Sequence, residues 1–376
     1  MNSGTPRRAT AADNTGLLAL AAACPMQADL TLCVRREPDF FALNRLQGDR
    51  WDVGVVDGGP AGVIGCIATA ERLVYVNGAP APTAYVSDLK VHPAFRGRRN
   101  GTGSVADALS EYARDTVGAT DCRMPTLITV LGGNVAMAPR LAGPRGLPRL
   151  TPFATIRTFA VPLFVLRRLG SSLPQGLGVR PAEERDLDDM AALWRTVAPL
   201  RQLAPVLSAD AFPRLSADAT GLSVASYWIA RHVSGHLAGF VALWDQHRLK
   251  NTIVQRYSRR AALFRHAFNL AAPLVGAPRL PAPGAPLRYL SAFQVCVPAN
   301  EPGVLRALLV AAARPHAGSP YAFCTIGLDV TDPLARALAG CWAHTTLVHA
   351  YVTTAAGAYD GPPLDALPLH FETALV

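Results

Sequence analysis

Apolar residues cluster over strand-length stretches through most of the chain, and one stretch leads directly into a helical pattern. Tyr85, Val86, Leu89 and Val91 form an apolar, β-branched and aromatic segment that Pro93 ends, because proline cannot donate a hydrogen bond within a ladder. Beyond Val105, apolar residues recur at helical spacing with polar residues between them. The pattern therefore predicts a strand that stops near His92, a turn, and an amphipathic helix.

The same reading predicts the elements around this unit. A short strand, a cap and a helix are expected at residues 8–20, and a helical segment at 36–41. Further strands are expected at 51–56, 63–76, 126–131 and 153–165, with hairpin turns at Asp57-Gly58-Gly59 and Asn77-Gly78.

An internal repeat divides the chain. The opening Arg8-Ala9-Thr10-Ala11-Ala12-Asp13 returns, about 172 residues later, as Val179-Arg180-Pro181-Ala182-Glu183-Glu184-Arg185-Asp186, again before a helical pattern. The length of 376 residues also exceeds one ordinary core. We therefore predict two halves, 1–165 and 179–376, joined by a polar, glycine-rich linker at 166–178. In the second half, strands are expected at 226–230, 237–244, 287–295, 321–328 and 345–353, and a helix at 333–339.

The turn before the amphipathic helix has the composition of an anion site. Residues 96–103 read Arg-Gly-Arg-Arg-Asn-Gly-Thr-Gly, and the helix that follows begins with amides that have no intrahelical acceptor. Glycines let a ligand approach the backbone, and arginines suit phosphate. The alternative is a solvated basic loop. The Gly-Lys-Ser/Thr ending of a P-loop is absent, and the glycine spacing differs from the dinucleotide fingerprint.

Arg98-x-x-Gly101-x-Gly103, after Asp88-Leu89-Lys90-Val91-His92-Pro93, resembles the acyl-CoA loop of the GNAT superfamily of N-acetyltransferases. The resemblance implies an α/β (α+β) fold class: two tandem GNAT-like domains, each a mixed, mainly antiparallel sheet flanked by helices. It also implies acetyl-CoA or another acyl-CoA as cosubstrate. The residues it assigns to the cofactor are Leu89, Lys90, Val91, Arg96, Gly97, Arg98, Arg99, Asn100, Gly101, Thr102, Gly103 and Asn134.

The catalytic residues are less sharply marked. The resemblance implies a strand carboxylate as general base, which here is Asp88, with Tyr85 further back on the same strand; a structural hydrogen-bonding role for Asp88 stays open. Asn134 is either a cofactor ligand or a helix N-cap. Many family members supply a tyrosine acid several residues after this asparagine, but residues 137–141 contain none.

The second half departs from the family at its own turn. Pro298-Ala-Asn-Glu301-Pro302-Gly303 lacks the Arg-x-x-Gly-x-Gly pattern, its prolines remove amide donors, and Glu301 repels phosphate. We therefore predict a degenerate GNAT-like C-terminal half that completes the acceptor pocket or the fold.

Composition restricts the partners. There are 36 Lys and Arg against 27 Asp and Glu, and the resulting charge of +9 suits CoA phosphates or an acidic partner. The arginines form no stripe interleaved with aromatics, so no nucleic-acid partner is predicted, and no membrane partner is predicted either. Seven cysteines show no paired spacing, no metal is predicted, and no segment reads as a signal or membrane span; these patterns favour a cytoplasmic protein.

Two functions of different class stay open. The first is an acyl-CoA-dependent N-acyltransferase, with acetyl as the first expectation, acting on a small-molecule or peptide amine. The second is a non-catalytic acyl-CoA-binding or regulatory protein; a GNAT-like enzyme that takes its acyl group from a carrier protein is a variant of the first. Segments 24–45 and 245–260 are expected to build the acceptor pocket, and a homodimer is left open.

Overall fold

A computed structural model describes residues 5–27, 29–97, 99–100, 103–134, 137, 150–169 and 176–376 of the chain. Most of the predicted strands are present. In chain order the strands are β1 (Arg7–Arg8), β2 (Leu30–Arg35), β3 (Arg50–Asp57), β4 (Val63–Val76), β5 (Ala79–Val91), β6 (Arg99–Asn100), β7 (Gly103–Ser104), β8 (Thr126–Leu131), β9 (Thr151–Pro162), β10 (Leu177–Pro181), β11 (Tyr227–His232), β12 (Leu237–Trp244), β13 (Asn251–Tyr257), β14 (Leu290–Cys296), β15 (Phe323–Asp329) and β16 (His344–Thr353).

Helices cover both faces of the sheet that these strands build. Within the described residues the α-helices are α1 (Asn14–Ala23), α2 (Ala42–Gln47), α3 (Val105–Gly118), α4 (Leu163–Arg168), α5 (Leu187–Val197), α6 (Ala211–Asp218), α7 (Arg259–Ala271) and α8 (Pro302–Ala313). No helix in this part of the chain is long and apolar enough to traverse a bilayer. The segment predicted as a helix at 333–339 is a 3-10 helix, Pro333–Leu338.

Twelve strands form one continuous sheet in the order β1-β3-β4-β5-β8-β16-β9-β15-β14-β12-β11-β10. Read from its two edges inward, this order has the same pattern twice: three antiparallel pairs, one parallel pair, and a strand that the other half of the chain supplies. β16, expected to close the second half, lies instead between β8 and β9. The fold class is as predicted. Each half of the sheet is completed by a strand from the other half of the chain: β16 pairs with β8, and β9 pairs with β15.

The internal repeat is also visible in atomic contacts. Arg7 holds Asp13 through two hydrogen bonds of 2.9 and 2.7 Å, and Arg180 holds Asp186 through two of 2.7 and 2.8 Å. Each carboxylate also accepts from the main-chain amide three residues before it, which orders the start of the helix that follows. The structural repeat pairs Arg7, not Arg8, with Arg180, so its offset is 173 residues.

Two local predictions were wrong. Residues 36–41 are not helical, because Pro38 keeps the preceding residue out of the α region; α2 begins only at Ala42, where Asp39 accepts the amide of Phe41 at 2.9 Å. Residues 163–165 belong to α4 and not to a strand. The ladder with β15 ends at Pro162, and Leu163 and Leu166 then bury their side chains at helical spacing.

Candidate active site

β5 and β8 run parallel but part early, and the gap between them is the central feature of the first half. Their ladder consists of Ala84, Tyr85 and Val86 opposite Thr126, Leu127 and Ile128. β5 continues to Val91 and β8 to Leu131 without further pairs between them. The main chain of residues 87–91 therefore faces a wedge, in which an extended ligand can add hydrogen bonds as a strand would.

A β-bulge shapes the edge of this wedge. On the other side of β5, Ser87 pairs with Ala68 and Lys90 with Cys66, so Asp88 and Leu89 together oppose Ile67. Asp88 takes a φ of 54°, in the left-handed region. A bulge re-aims the backbone at the place where the sequence predicted a cofactor contact.

The strand leads into the predicted glycine-rich turn. Arg96 returns to β5 through a hydrogen bond of 2.9 Å from its Nε to the carbonyl of Val91, and Gly97 has a φ of 71° with open space where a Cβ would stand. The backbones of Arg99 and Asn100 pair with those of Ser104 and Gly103. Arg98, Gly101 and Thr102 lie outside the described residues, as do the side chains of Arg99 and Asn100.

α3 begins where this turn ends. Ser104 is its N-cap: its hydroxyl accepts from the amide of Asp107 at 3.2 Å, and the Asp107 carboxylate accepts from the amide of Ser104 at 3.0 Å. α3 packs closely on β4, because a Cβ on Gly65 would come within 2.7 Å of Val105. The positive end of the α3 dipole therefore points toward the turn, as an anion site requires.

Asp88 does not have the environment of a general base. Its carboxylate is 6% exposed and accepts two hydrogen bonds from Arg36, of 2.7 and 2.9 Å, as well as a contact from Lys90. Burial would raise the pKa of Asp88, but Arg36 and Lys90 outweigh burial and hold this pKa well below its usual range. A carboxylate with so low a pKa is a weak base, so the geometry favours a structural part for Asp88: it fixes the bulge.

Tyr85 faces a cavity at the point where β5 and β8 part. Its hydroxyl lies 2.9 Å from that of Thr129, and burial raises the pKa of Tyr85 to about 12, although Thr129 opposes the shift. The phenol is therefore neutral near pH 7 and able to donate a proton. Asn134 lies in the turn after β8, where its carbonyl accepts from the amide of Met137 at 3.1 Å; the helix expected to begin there falls outside the described residues.

The cavity, called the central cavity below, has a volume of about 40 Å³ and is open to solvent on one side. Its polar lining combines both halves of the chain: Gln47, Arg72, Thr83, Tyr85, His370 and Glu372. The last two form a buried pair, with His370 Nε2 2.8 Å from Glu372 Oε1, and the same oxygen accepts from the amide of Gln294 at 2.9 Å. Sequence reasoning missed His370 and Glu372, because no spacing rule connects them to β5.

Two groups in the central cavity lack partners among the described residues. The hydroxyl of Thr83 is buried without a hydrogen bond. The Arg72 guanidinium also makes no hydrogen bond or ion pair with this part of the chain; burial lowers the pKa of Arg72, and Glu372 opposes that shift. Unmade hydrogen bonds of this kind are what a bound polar ligand would satisfy.

Lys250 is a second group that the sequence did not single out. Its Nζ donates to the main-chain oxygens of Thr373, Ala374 and Val376 at 3.4, 3.3 and 2.6 Å. These hydrogen bonds hold residues 373–376 in place. Burial and then Arg36 lower the pKa of Lys250 to about 7, with Asp88 opposing. β13, which follows Lys250, pairs with β2 from Asn251 opposite Arg35 to Tyr257 opposite Leu30. The two segments expected to build an acceptor pocket are thus neighbours.

The sequence matches no protein-family model, and no curated protein resembles it significantly. Solved structures do resemble the chain. An N-myristoyltransferase of Saccharomyces cerevisiae with bound myristoyl-CoA superposes with a TM-score of 0.60 at 11% identity, covering 94% of this chain and 83% of that one. A GCN5-related N-acetyltransferase of Anabaena variabilis gives a TM-score of 0.50 at 12% identity, with coverages of 93% and 72%. At these identities the likeness establishes the fold, and the fold of this chain is that of N-myristoyltransferase, two GNAT-like halves in tandem.

Proposed function

We propose that the protein is an acyl-CoA-dependent N-acyltransferase whose donor site lies in the first half and whose acceptor site is the central cavity. The observation that carries the proposal is the wedge between β5 and β8, which opens onto a basic turn and a capped helix start. The likeness to N-myristoyltransferase and to GCN5-related N-acetyltransferases supports the same reaction class.

In this proposal the turn at 96–103 and the start of α3 hold the CoA phosphates, and the pantetheine arm lies in the wedge along Leu89, Lys90 and Val91. The thioester carbonyl accepts a hydrogen bond from a main-chain amide at the bulge, which stabilises the oxyanion of the tetrahedral intermediate. The acceptor nitrogen attacks the carbonyl carbon, the C–N bond forms, and the C–S bond breaks. One proton leaves the amine and one is returned to the CoA thiolate.

The described side chains suggest a division of these proton transfers. His370 is the proposed base, because it lines the central cavity and Glu372 orients its ring as a carboxylate orients the histidine of other acyl-transfer sites. Tyr85 is the proposed proton donor, since its phenol is neutral and faces the same cavity. Asp88 is a positioning residue.

Arg72 supports a narrower class of acceptor. The Arg72 guanidinium, which makes no hydrogen bond with the described residues, suits a carboxylate or phosphate, and the Thr83 hydroxyl adds a further donor or acceptor in the same cavity. We therefore infer that the acceptor is a small amine or peptide that also carries an anionic group.

The donor site is tested by calorimetric titration with acetyl-, octanoyl- and myristoyl-CoA. Gly97 offers a matched pair of variants, because a side chain there meets open space and asparagine and aspartate tolerate left-handed backbone best. Gly97→Asp is expected to weaken binding by about tenfold or more through its charge, and Gly97→Asn by far less. Equal losses in both variants, or no binding of any acyl-CoA to the wild type, would contradict the donor site.

Turnover is tested by release of free CoA thiol with a panel of amines, each with and without a carboxylate. We expect Arg72→Gln to raise KM for anionic acceptors, and His370→Gln to lower kcat far more than it changes KM. Tight acyl-CoA binding without thiol release for any amine would favour the non-catalytic binding protein.

A further inference from the structure

α7 exposes its apolar side to solvent. None of its residues is buried, and the exposed fractions of Leu263, Phe264 and Leu270 are 73, 51 and 83%. The 3-10 turn that extends the helix adds Leu274, which is 85% exposed. Leu263, Leu270 and Leu274 follow one another at seven and four residues, the spacing of a single helix face.

Two polar residues of α7, Asn269 and Arg265, turn the other way, toward the protein. Asn269 exchanges two hydrogen bonds with the main chain of Leu280, at 3.0 and 2.7 Å. The Arg265 guanidinium lies 5.5 Å from the centre of the Tyr257 ring. The fold thus holds the helix through these polar groups and through Phe268, which packs against Phe164, and leaves Leu263 and Leu270 uncovered.

Arginines predominate around this face, although Asp29 is exposed at the start of α7, where its main-chain carbonyl accepts from the amide of Ser258. Residues 246–300 contain eight Lys and Arg and no Asp or Glu. Arg259 and Arg260 are exposed at the start of α7, and Arg279 is exposed beyond its end. From the first half, Arg167 donates to the carbonyl of Gly276 at 2.7 Å and Arg168 is exposed nearby on α4. Apolar side chains inside a rim of cations match the chemistry of an anionic lipid surface.

We propose that α7 is an interfacial docking helix that lies in the surface of an anionic bilayer, with Leu263, Leu270 and Leu274 inserted at the acyl boundary and Arg259 and Arg260 at the lipid phosphates. A second copy of this chain is a poorer occupant, because two such faces would bring arginines against arginines. That no helix among the described residues can span a bilayer does not bear on this docking, since an interfacial helix lies in the membrane surface and does not cross it.

The test is flotation of the full chain with vesicles of phosphatidylcholine alone and of phosphatidylcholine with about 30% phosphatidylserine, a cytoplasmic-leaflet type of charge. We expect binding to the charged vesicles that weakens at high salt. The triple variant Leu263→Gln, Leu270→Gln, Leu274→Gln should lose at least about 100-fold in partitioning. Arg259→Gln with Arg260→Gln should lose about 10- to 30-fold.

Matched controls separate docking from general effects of charge and apolarity. Leu200→Gln and Val233→Gln remove exposed apolar residues elsewhere, and Arg185→Gln with Arg214→Gln removes the same charge from other surfaces. All should bind as the wild type does. An added Leu270→Trp reporter should show blue-shifted emission and quenching by brominated lipids.

Three results would overturn the proposal: no vesicle binding by the wild type, equal loss in the control variants, or a Leu270→Trp reporter that stays in water. A wild-type dimer in sedimentation velocity that the triple Leu→Gln variant converts to a monomer, without vesicle binding, would assign the face to a second copy. Binding of an acidic protein without vesicle binding would assign it to a protein partner.

Discussion

The two halves of the sheet build the same bulged strand and then differ in the turn that follows. β14 repeats β5: its parallel ladder with β15 stops after Leu290 and Ser291, and Gln294 has a left-handed φ of 49° at a bulge opposite Val241. α8 packs on β12 at Gly239 as α3 packs on β4 at Gly65. The wedge, the bulge and the helix packed beside them occur in both halves and are therefore features of the fold.

The two halves differ in the residues at the helix start and at the bulge. α3 begins with a serine cap after arginines and glycines, whereas α8 begins with Glu301 at its N-cap, without a side-chain hydrogen bond, and with Pro302 in its first turn. At the bulge, Asp88 pairs with Arg36, while Gln294 accepts from the buried Tyr227 hydroxyl at 2.6 Å. The first half thus places arginines and a serine-capped helix start after its bulge, whereas the second half pairs its bulge residue with a buried hydroxyl.

The largest expected difference lies at the two bulges. Asp88→Asn leaves Arg36 and Lys90 without their counter-charge, and should lower the free energy of unfolding by about 3–5 kcal/mol. Gln294→Leu removes the acceptor of one buried hydroxyl and should cost about 1–3 kcal/mol. Guanidinium unfolding of both variants measures this. The pKa of Asp88 is lowered in the folded state, so its carboxylate stabilises the fold at pH values above 3.8, its ordinary pKa, and this stabilisation is lost as the pH falls. The free energies of unfolding of the wild type and of Asp88→Asn should therefore converge in acid. Equal costs at both bulges would remove the distinction.

Lys250, from the second half, is influenced by the cations of the first. Its folded pKa of about 7 lies below the ordinary 10.5, so the unfolded chain binds more protons between these values and stability should rise as pH increases from 7 to 10. The free energy of unfolding should rise by about 3 kcal/mol over this range. This is less than the full pKa difference would give, because three main-chain oxygens accept from the Lys250 amine and favour its charged form. Lys250→Met should remove it, as measured by urea unfolding across this pH range. An unchanged pH slope in the variant would show that Lys250 titrates normally.

The two turns should respond oppositely to exchanged charge. Arg98→Glu with Arg99→Glu gives the first turn the sign of the second and should weaken acyl-CoA binding by at least about 100-fold, since two charge-assisted phosphate contacts become repulsive. Glu301→Arg should not create a second site, because Pro298 and Pro302 still withhold amide donors. Calorimetry counts the bound acyl-CoA in each case. Two sites in Glu301→Arg would show that charge alone separates the halves.

The smallest effect is expected at the arginine–aspartate pair that both halves repeat before their first helix. Asp13→Asn and Asp186→Asn each weaken one arginine pair and one main-chain cap, and each should cost about 1–2 kcal/mol. Asp186 also accepts from Arg231 at 3.1 Å, so its variant should be the more destabilised. Thermal unfolding compares them. A large cost at Asp13 alone would mean that the repeat is not energetically symmetric.

Much of the first half was predictable, because its signals are local. Pro93 ends β5 within one residue of the prediction, and Asn77 and Gly78 both adopt the positive φ that their turn requires. α7 was missed although Ser258, whose hydroxyl accepts from the amide of Ala261 at 3.2 Å, marks its start. An apolar face turned to solvent gave the helix no ordinary amphipathic pattern.

The position of the glycine-rich turn, though not its function, was predictable for the same reason. Arg96, Gly97 and Gly103 lie between the end of β5 and the start of α3, as their order in the sequence required. The environment of Asp88 was not foreseeable, because Arg36 reaches it from a separate segment. The roles of these residues in catalysis stay predictions until the variants above are measured.

The amino-acid sequence by itself determined the repeat, most of the strands, the basic glycine-rich turn and its loss from the second half, since each depends on neighbours within a few residues. Only the tertiary structure decided the exchange of β16 and β9, the central cavity with His370 and Glu372, and the low pKa of Asp88. These features depend on contacts between segments that are distant in the sequence. The burial and the charges that such contacts create cannot be inferred from the spacing of neighbouring residues.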